Sequence, residues 1–270
     1  MTSRGFPQGE AKNAARIWGR RVAVVLIAVL VAAALGVAAI LTWYGAFDAS
    51  PFREIPARAV GNGAETSTGK GYAAVLVSGD LGPRAGMGAP VAGLLAEHGV
   101  ATVSVNSLNY FRVRRTPADV SALLGEAIRR AMALGHVDKV VVLGQSFGAD
   151  MVHVGLQGLP ADLRRHVSLV VLTVPTRTVF LRVSPLEWLD RTTPDAMAIV
   201  SARALDWVPV VCIRGREEPD SLCPLLHLPR LTQVALPGDH YLEHNADRLF
   251  MAIRDALAGH FHTAFPEHAP

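Results

Sequence analysis

The stretch KVVVLGQSFGADMVHVGLQG, residues 139–158, decides the fold of this chain. It opens with an uninterrupted apolar run, residues 139–143, passes through a serine flanked by glycines, and closes with a helix-like segment, residues 147–158. Continuous β-branched character is typical of a strand that is covered on both faces. The stretch therefore predicts a buried strand, a sharp turn that carries Ser146, and a helix.

Short apolar runs of the same kind recur along the chain and alternate with helical patterns. These runs occupy residues 72–78, 100–105, 139–143, 167–174, 208–214 and 232–236. Residues 117–134 form an amphipathic pattern, with Thr116 as the expected cap and Pro117 in the first turn. A final helix is expected near residues 246–258. This alternation predicts an α/β fold with a mostly parallel sheet.

The composition narrows the class of protein. The chain has 270 residues, of which 50% are hydrophobic and 18% charged, so it is neither disordered nor fibrous and suits one globular domain. Its net charge is +3, and five basic residues against Glu10 give residues 1–21 a charge of +4, which leaves −1 for the rest. A body without excess positive charge gives no electrostatic basis for nucleic-acid binding.

An N-terminal apolar stretch predicts a membrane anchor. Residues 22–44 are uncharged and long enough to cross about 30 Å of hydrocarbon as a helix. Arginines precede the stretch, so residues 1–21 are expected to be a cytoplasmic tail and the body to be exported. A cleaved signal peptide is the alternative, although its apolar core is normally about 7–15 residues. Residues 45–71 are expected to be a linker, and residues 72–270 a single α/β domain.

The segment around Ser146 matches the pattern G-x-S-x-G. A strand precedes it and a helix follows, which is the context of the nucleophile elbow in the α/β-hydrolase fold. The flanking glycines, Gly144 and Gly148, suit so sharp a turn because larger side chains would collide. Ser146 is therefore the candidate nucleophile, and a glycine-rich turn with an incidental serine is the alternative.

A nucleophilic serine needs a base and an acid, which follow it in the order acid, then histidine. His240 comes directly after the last predicted strand and is the expected base, with His244 as the weaker alternative. The acid is expected in the loop at residues 215–224. The spacing to the following cysteine and proline favours Asp220, and Glu218 is the alternative acid.

Backbone amides near the nucleophile are expected to form an oxyanion hole. The helix that starts after Ser146 offers the amide of Phe147, and the glycine-rich turn after the first strand offers that of Leu81 or Asp80. An ordinary turn between strand and helix is the alternative for that second segment.

Two cysteines bracket the acid loop, and histidines recur near the C-terminus. In an exported domain, Cys212 and Cys223 are expected to form a disulfide that holds Asp220 in register with His240. The histidine pairs 240/244 and 260/262 could each contribute to a metal site, but no further Cys/His cluster completes one. Neither a metal nor another cofactor is therefore expected.

Several segments together resemble the bacterial virulence-protein family VirJ/AcvB. They are SGDLG (78–82), NSLNYFRVRRTP (106–117), GQSFGAD (144–150), LPADLRRHVSLVVL (159–172), CIRGREEPDSLCP (212–224) and LPGDH (236–240). The resemblance implies an exported α/β-hydrolase with the triad Ser146, Asp220 and His240. Together with the predicted anchor, it implies a single-pass protein of the bacterial inner membrane whose catalytic domain lies in the periplasm. The family's GDGGW turn is replaced here by a segment that contains Leu81 and Pro83.

The same resemblance implies hydrolysis of aminoacyl-phosphatidylglycerol, with release of lysine or alanine. The ammonium group of such a substrate calls for carboxylates outside the triad, for which Asp80, Asp150 and Glu187 are candidates. The long segment at residues 173–206 is expected either to cover the pocket or to pack on the sheet. A generic carboxylesterase or thioesterase and a non-catalytic secretion accessory protein are the alternatives. The sequence leaves open the amino acid removed and the oligomeric state.

Overall fold

The computed structural model describes residues 8–58, 71–184 and 193–261, and the chain forms two units, Met1–Trp43 and Tyr44–Pro270. The strands are β1 (Phe52–Ile55), β2 (Ala73–Val77), β3 (Thr102–Val105), β4 (Val140–Gln145), β5 (Val167–Thr173), β6 (Thr178–Val179), β7 (Ala196–Met197), β8 (Val210–Gly215) and β9 (Leu231–Leu236). The helices are α1 (Gln8–Trp43), α2 (Gly88–Glu97), α3 (Ser107–Tyr110), α4 (Pro117–Gly135), α5 (Phe147–Gln157), α6 (Ala161–Arg164), α7 (Ala198–Ala202) and α8 (Ala246–Phe261).

The first unit is the single helix α1. Its segment Trp18–Trp43 has 26 residues and a mean hydropathy of 3.1, and its most apolar part is entirely unburied. At 1.5 Å per residue this segment is about 39 Å long, which exceeds the roughly 30 Å of a bilayer's hydrocarbon. The helix is therefore a candidate transmembrane span, in agreement with the apolar stretch that the sequence shows at residues 22–44.

The second unit is built on a mostly parallel sheet. Within the described residues the sheet has seven strands in the order β1-β3-β2-β4-β5-β8-β9. Strands β2, β3, β4, β5, β8 and β9 are parallel, and β1 runs antiparallel to β3 at one edge. The predicted α/β fold is confirmed. All six parallel strands end at one side of the sheet, here called the carboxyl edge, where their following loops meet.

Alternate side chains of each central strand enter two separate cores. In β4, Val140 and Val142 pack in the core that contains α4 and α5, whereas Val141 and Leu143 pack in the core that contains α2 and α8. Both faces of the strand are therefore covered by helices, which is why its sequence is apolar throughout. Helix α4 begins as predicted, with Thr116 accepting a hydrogen bond from the backbone N–H of Asp119.

The expected linker at residues 45–71 is corrected by the structure. Strand β1 lies inside that segment, Phe52 packs against one core of the sheet, and Ile55 packs against the other. The globular unit therefore starts at Tyr44 and not at residue 72. A four-residue edge strand with two exposed central residues leaves no clear periodicity in the sequence, so composition alone favours a linker. Residues 59–70 lie outside the described residues.

Candidate active site

Ser146 lies on the sharp turn between β4 and α5. Its backbone has φ 54° and ψ −126°, a positive φ that is uncommon for a residue other than glycine. The N–H of Ser146 donates to the carbonyl of Thr173 at 2.8 Å, which ties the turn to the carboxyl end of β5. The strained turn places the serine at the carboxyl edge, as the sequence pattern predicts.

The two glycines of the motif are required by close backbone contacts. A Cβ atom on Gly144 would lie 2.5 Å from the carbonyl oxygen of Gly148. A Cβ atom on Gly148 would lie 2.2 Å from the carbonyl oxygen of Val77, at the end of β2. Helix α5 therefore begins in direct contact with the neighbouring strand, and any side chain at these positions would push the elbow away from the sheet.

His240, the expected base, is the histidine that the structure brings to the serine. It follows β9, and its Nε2 atom lies 2.7 Å from Ser146 Oγ. A Ser146 hydroxyl that donates to this nitrogen is oriented to lose its proton to the imidazole. His244, the weaker candidate, instead stacks on Tyr241 with 5.4 Å between ring centroids, and it has no described contact with Ser146.

Glu218 is the carboxylate that contacts the base. His240 Nδ1 donates to Glu218 Oε1 at 2.6 Å, and Glu218 is only 7% exposed. Asp220, which the sequence favours, is exposed, and no ion pair joins it to His240 among the described contacts. The structure therefore replaces Asp220 with the alternative acid, Glu218.

The path of the loop after β8 explains this correction. The N–H of Glu218 donates to the carbonyl of Gly215, which turns the loop back beneath the histidine as soon as the strand ends. The loop then crosses to another segment, where Arg177 donates to the carbonyl of Pro219 and Ser221 pairs with Thr176. Residue 220 lies on that outward part of the loop, so its side chain faces solvent.

The predicted disulfide braces this loop. Cys212 in β8 and Cys223 beyond the acid are bonded, with their Cα atoms 5.6 Å apart, and both are fully buried. The bond closes a loop whose members are 11 positions apart in sequence and include Glu218. It therefore fixes the carboxylate that contacts His240, whereas the sequence assigns this effect to Asp220.

The pKa of His240 is set by opposing influences. Burial alone lowers it, but the hydrogen bond and charge of Glu218 raise it, and the charges of Asp150 and Asp80 add to that effect. The net result is a pKa above the ordinary histidine value of 6.5. A raised pKa makes the imidazole a stronger proton acceptor, which suits a general base.

Asp150 is buried and held by hydrogen bonds to Thr176. Its two carboxylate oxygens accept the Thr176 N–H at 3.0 Å and the Thr176 hydroxyl at 2.8 Å. The side chain is buried, and burial raises its pKa despite the neighbouring His153 and Thr176, which lower it. Because Thr176 pairs with Ser221, Asp150 connects α5 to the acid loop. These contacts disfavour the expected binding of a substrate ammonium group by Asp150.

The two segments expected to supply oxyanion donors lie beside the nucleophile. Phe147 is the first residue of α5, where amide groups have no acceptor within the helix. The turn after β2 is close as well, because a Cβ atom on Gly79 would lie 3.9 Å from Ser146 Cβ. The amide of Leu81, however, donates to Asp80 Oδ1 at 2.9 Å. Of the two expected donors in this turn, Leu81 is thus occupied by its neighbour's carboxylate.

The remaining site candidates have different outcomes. Asp80 is half-buried in the turn after β2, and its charge adds to the influences that raise the pKa of His240. Glu187 lies outside the described residues, as does the centre of the segment expected to cover the pocket. Within the described ranges, no group of three or more His, Cys, Asp or Glu side chains is placed to hold a metal ion.

Solved structures with the same fold include esterases, a lipase and a peptidase. Est1E from Butyrivibrio proteoclasticus aligns with a TM-score of 0.55 and 15% identity, over 80% of this chain and 97% of that one. The mature lipase BlEst2 from Bacillus licheniformis aligns with a TM-score of 0.53 and 12% identity, over 76% and 97%. Proline iminopeptidase from Mycobacterium smegmatis gives 0.52 and 14%, over 78% and 94%. At these identities the likeness shows an α/β-hydrolase fold.

Sequence comparison identifies the family directly. No curated protein matches the chain significantly. The family model described as bacterial virulence protein (VirJ) matches residues 71–260, which include every residue of the Ser146, His240 and Glu218 site. The chain belongs to the VirJ family of bacterial virulence proteins.

Proposed function

We propose that this protein is a membrane-anchored, exported serine hydrolase that cleaves the aminoacyl ester of aminoacyl-phosphatidylglycerol. The observation that carries the hydrolase assignment is the continuous chain of short contacts from Ser146 through His240 to Glu218. Nucleophile, base and acid in this order, on the edge of an α/β-hydrolase sheet, are the arrangement of acyl transfer.

The first half of the reaction forms an acyl-enzyme. Ser146 Oγ attacks the ester carbonyl while its proton passes to His240 Nε2, and Glu218 stabilises the imidazolium through Nδ1–H. The developing oxyanion accepts hydrogen bonds from the amide of Phe147 and, in this proposal, from that of Asp80. The ester C–O bond then breaks, and the histidine returns its proton to the leaving hydroxyl of phosphatidylglycerol.

The second half restores the enzyme. A water molecule loses its proton to His240 and attacks the aminoacyl ester on Ser146. The bond to Ser146 Oγ then breaks, the serine recovers the proton, and the free amino acid leaves. Atoms balance as ester plus water giving amino acid plus phosphatidylglycerol.

Asp80 is proposed to bind the substrate ammonium group. It is a carboxylate that is not part of the triad, it is half-buried at the carboxyl edge, and its charge acts on His240. Asp150 is buried, with its two oxygens engaged by Thr176, whereas Asp80 is partly exposed at this edge while one of its oxygens accepts the Leu81 N–H; we therefore assign the contact to Asp80. An aminoacyl ester has its positive charge next to the reacting carbonyl, so a carboxylate beside the base is well placed to orient it.

The exported location is supported by the disulfide and by the apolar helix. Buried disulfides persist in oxidising compartments such as the periplasm. A retained anchor would hold the enzyme in the same inner membrane as its lipid substrate and so raise the effective substrate concentration.

The proposal is tested with the full-length protein in detergent, mixed with lysyl- or alanyl-phosphatidylglycerol. Mass spectrometry should detect free amino acid with the wild type and with the control Ser168→Ala, but not with Ser146→Ala. A fluorophosphonate probe should label the wild type and not Ser146→Ala. Labelling without amino acid release would indicate a generic esterase or thioesterase. Absence of both would indicate an accessory protein with a hydrolase fold.

A further inference from the structure

The carboxylate of Glu218 has one described hydrogen bond. Its Oε1 atom accepts from His240 Nδ1 at 2.6 Å, whereas its Oε2 atom is buried and has no hydrogen-bond partner among the described residues. Within those residues, the bond to His240 is thus the only side-chain hydrogen bond that orients the carboxylate. The backbone of the acid loop, residues 215–224, must therefore hold Glu218 against the base.

The part of the acid loop beyond Glu218 rests on residues 174–177, which follow β5 and are here called the bridging segment. Three consecutive residues of this segment contact three residues of the loop. The contacts are the Leu222 N–H with the Pro175 carbonyl at 2.9 Å, the backbone pairing of Ser221 with Thr176, and Arg177 Nη2 with the Pro219 carbonyl at 2.8 Å. The position of the loop therefore follows that of the bridging segment.

The bridging segment begins in a strained conformation. Val174 is fully buried and has φ 46°, which is an outlier for a β-branched residue. Its N–H donates to the carbonyl of Ile213 in β8 at 2.7 Å. A backbone conformation of this kind persists only where the surrounding contacts impose it. The segment therefore needs a firm attachment directly after Val174.

Asp150 provides this attachment at Thr176. Its Oδ1 atom accepts the Thr176 N–H at 3.0 Å, and its Oδ2 atom accepts the Thr176 hydroxyl at 2.8 Å. Asp150 is only 4% exposed, so water competes little for these two bonds. One buried carboxylate thus fixes both the backbone and the side chain of Thr176.

The other side of Asp150 is closed by His153, one turn later on α5. His153 Nε2 lies 3.6 Å from Asp150 Oδ1, and its Nδ1 atom lies 2.8 Å from Ser201 Oγ in α7. His153 is fully buried. The carboxylate is therefore confined between an imidazole and Thr176, and its position follows that of α5.

The nucleophile and the acid are thereby attached to the same helix. Ser146 directly precedes α5, and Asp150 lies four residues later, about one helical turn. From Asp150 the contacts run through Thr176 to the acid loop. From Glu218 in that loop they return through His240 to Ser146. This closed ring includes every member of the triad, and Thr176 is the point at which it leaves α5.

We propose that Asp150 and Thr176 are positioning residues of the triad. The two bonds between them set the path of the bridging segment, and that segment holds Glu218 against His240. Neither residue touches the substrate in this role, which rests on the proposed hydrolase activity and extends its machinery beyond the triad itself.

A direct effect of the Asp150 charge has to be separated from this role. The charged groups that raise the pKa of His240 are Glu218, Asp150 and Asp80. Replacing Asp150 therefore changes the pKa of His240 even where the loop does not move. Substitutions of Thr176 leave all three carboxylates in place, so they report on the position of Glu218.

The first test compares Thr176→Val with Thr176→Ser in the full-length protein in detergent. Valine keeps the size of the side chain but removes the hydroxyl bond to Asp150, whereas serine keeps that bond. With p-nitrophenyl acetate, Thr176→Val should lower kcat about fivefold and leave KM within about twofold. The loss of activity that accompanies protonation of His240 should move to lower pH. Thr176→Ser should restore most of the activity.

The control is Thr232→Val, at an exposed position of β9, which should match the wild type. Tm is measured for each variant. A lower Tm for Thr176→Val, with unchanged kcat and an unchanged pH profile, would show a purely structural role and overturn the proposal.

Matched substitutions of Asp150 separate hydrogen bonding from charge. Asparagine keeps an acceptor for the Thr176 N–H and offers an amide hydrogen to the Thr176 hydroxyl, which then donates to the Thr178 carbonyl at 2.8 Å. Leucine has a similar size but binds neither group. Asp150→Asn should keep kcat within about threefold, and Asp150→Leu should lose about tenfold or more. Equal losses would assign the effect to charge and contradict the positioning role.

A double substitution shows whether Thr176 acts through Glu218. In Glu218→Gln the charge that Thr176 positions is already absent, so adding Thr176→Val should lower kcat by less than about twofold further. A further loss as large as that seen in the wild-type background would show that Thr176 acts independently of Glu218.

The pKa of His240 is measured independently of any activity. Full-length protein with isotope-labelled histidine is titrated by NMR in detergent micelles, and His240→Gln assigns the signal. The pKa should be lower in Thr176→Val than in the wild type and restored in Thr176→Ser. This result with a wild type that hydrolyses no ester would support the positioning of His240 and refute the proposed hydrolase. An unchanged pKa in Thr176→Val, with normal ester hydrolysis by the wild type, would refute the positioning role instead.

Discussion

Replacing Glu218 with glutamine should remove most of the activity, because Glu218 is the carboxylate that contacts His240. The substitution keeps the shape of the side chain but removes the charge that faces Nδ1 at 2.6 Å. A buried, charge-assisted bond of this kind is worth about 2–4 kcal/mol to the imidazolium formed in the transition state. The lower part of that range applies here because the His240 side chain is 32% exposed, and solvent weakens the interaction. We expect kcat/KM to fall about 30- to 150-fold.

The pH profile distinguishes loss of this charge from simple unfolding. His240 acts as a base only when neutral, so kcat/KM falls as pH drops through its pKa. In the wild type the raised pKa of His240 places this acid limb above the usual value of about 6.5. In Glu218→Gln, burial is opposed only by the weaker charges of Asp150 and Asp80, and the limb moves to lower pH.

The assay is the pH dependence of p-nitrophenyl acetate hydrolysis, with Asp220→Asn as the matched control. Asp220 is exposed and two residues from Glu218, so its variant should stay within about twofold of the wild type, with the same acid limb. If Glu218→Gln keeps both activity and limb while Asp220→Asn loses them, the assignment of the acid is refuted.

Three further changes test other parts of the structure. Reducing the Cys212–Cys223 bond, or replacing both cysteines with serine, should destabilise the domain by about 2–3 kcal/mol and lower its activity. The measurement is Tm with and without reductant, and an unchanged Tm would show that the disulfide is dispensable. Gly148→Ala, whose Cβ would meet the Val77 carbonyl at 2.2 Å, should unfold or inactivate the protein, whereas Gly93→Ala in α2, with open space around it, should be neutral or slightly stabilising by urea titration. Asp80→Asn should lower kcat/KM about tenfold for an aminoacyl ester and leave a neutral acyl ester within about twofold; an equal loss on both esters would argue against an ammonium contact.

The parts of the site next to strand ends could be predicted from the sequence. Ser146 and His240 each follow directly on an apolar strand with glycine close by, and local pattern is sufficient to place such residues at the carboxyl edge. The bond between Cys212 and Cys223 follows in the same way from an exported compartment and a short spacing. In these cases the deciding contacts lie within a few residues of a recognisable element.

The choice between Glu218 and Asp220 depends on contacts that local pattern does not contain. The path of the acid loop is set by the pairing of Ser221 with Thr176 and by the bond to β8, both of which come from other parts of the chain. The Glu218 N–H bonds to the carbonyl of Gly215, so the chain turns immediately after the strand, and this turn favours Glu218. The spacing to the following cysteine and proline favours Asp220 instead.

The fixed path of residues 44–48 could not be predicted for a related reason. Asn106 and Asn109 bind backbone carbonyls about sixty positions away, and a carbonyl acceptor leaves no trace in the side chains of the segment that is bound. The proline, glycine and alanine content of residues 45–71 therefore predicts a linker, although its first part is fixed and β1 extends the sheet.

The most direct test of the central claim is to trap the aminoacyl-enzyme. Full-length protein is mixed with lysyl-phosphatidylglycerol and quenched in acid within the first turnovers, and the peptide that contains Ser146 is sequenced by tandem mass spectrometry. We expect one lysyl group on Ser146 Oγ in the wild type and none in Ser146→Ala, which should also release no lysine. Lysine release that persists in Ser146→Ala, or a lysyl group on another residue, would contradict this expectation.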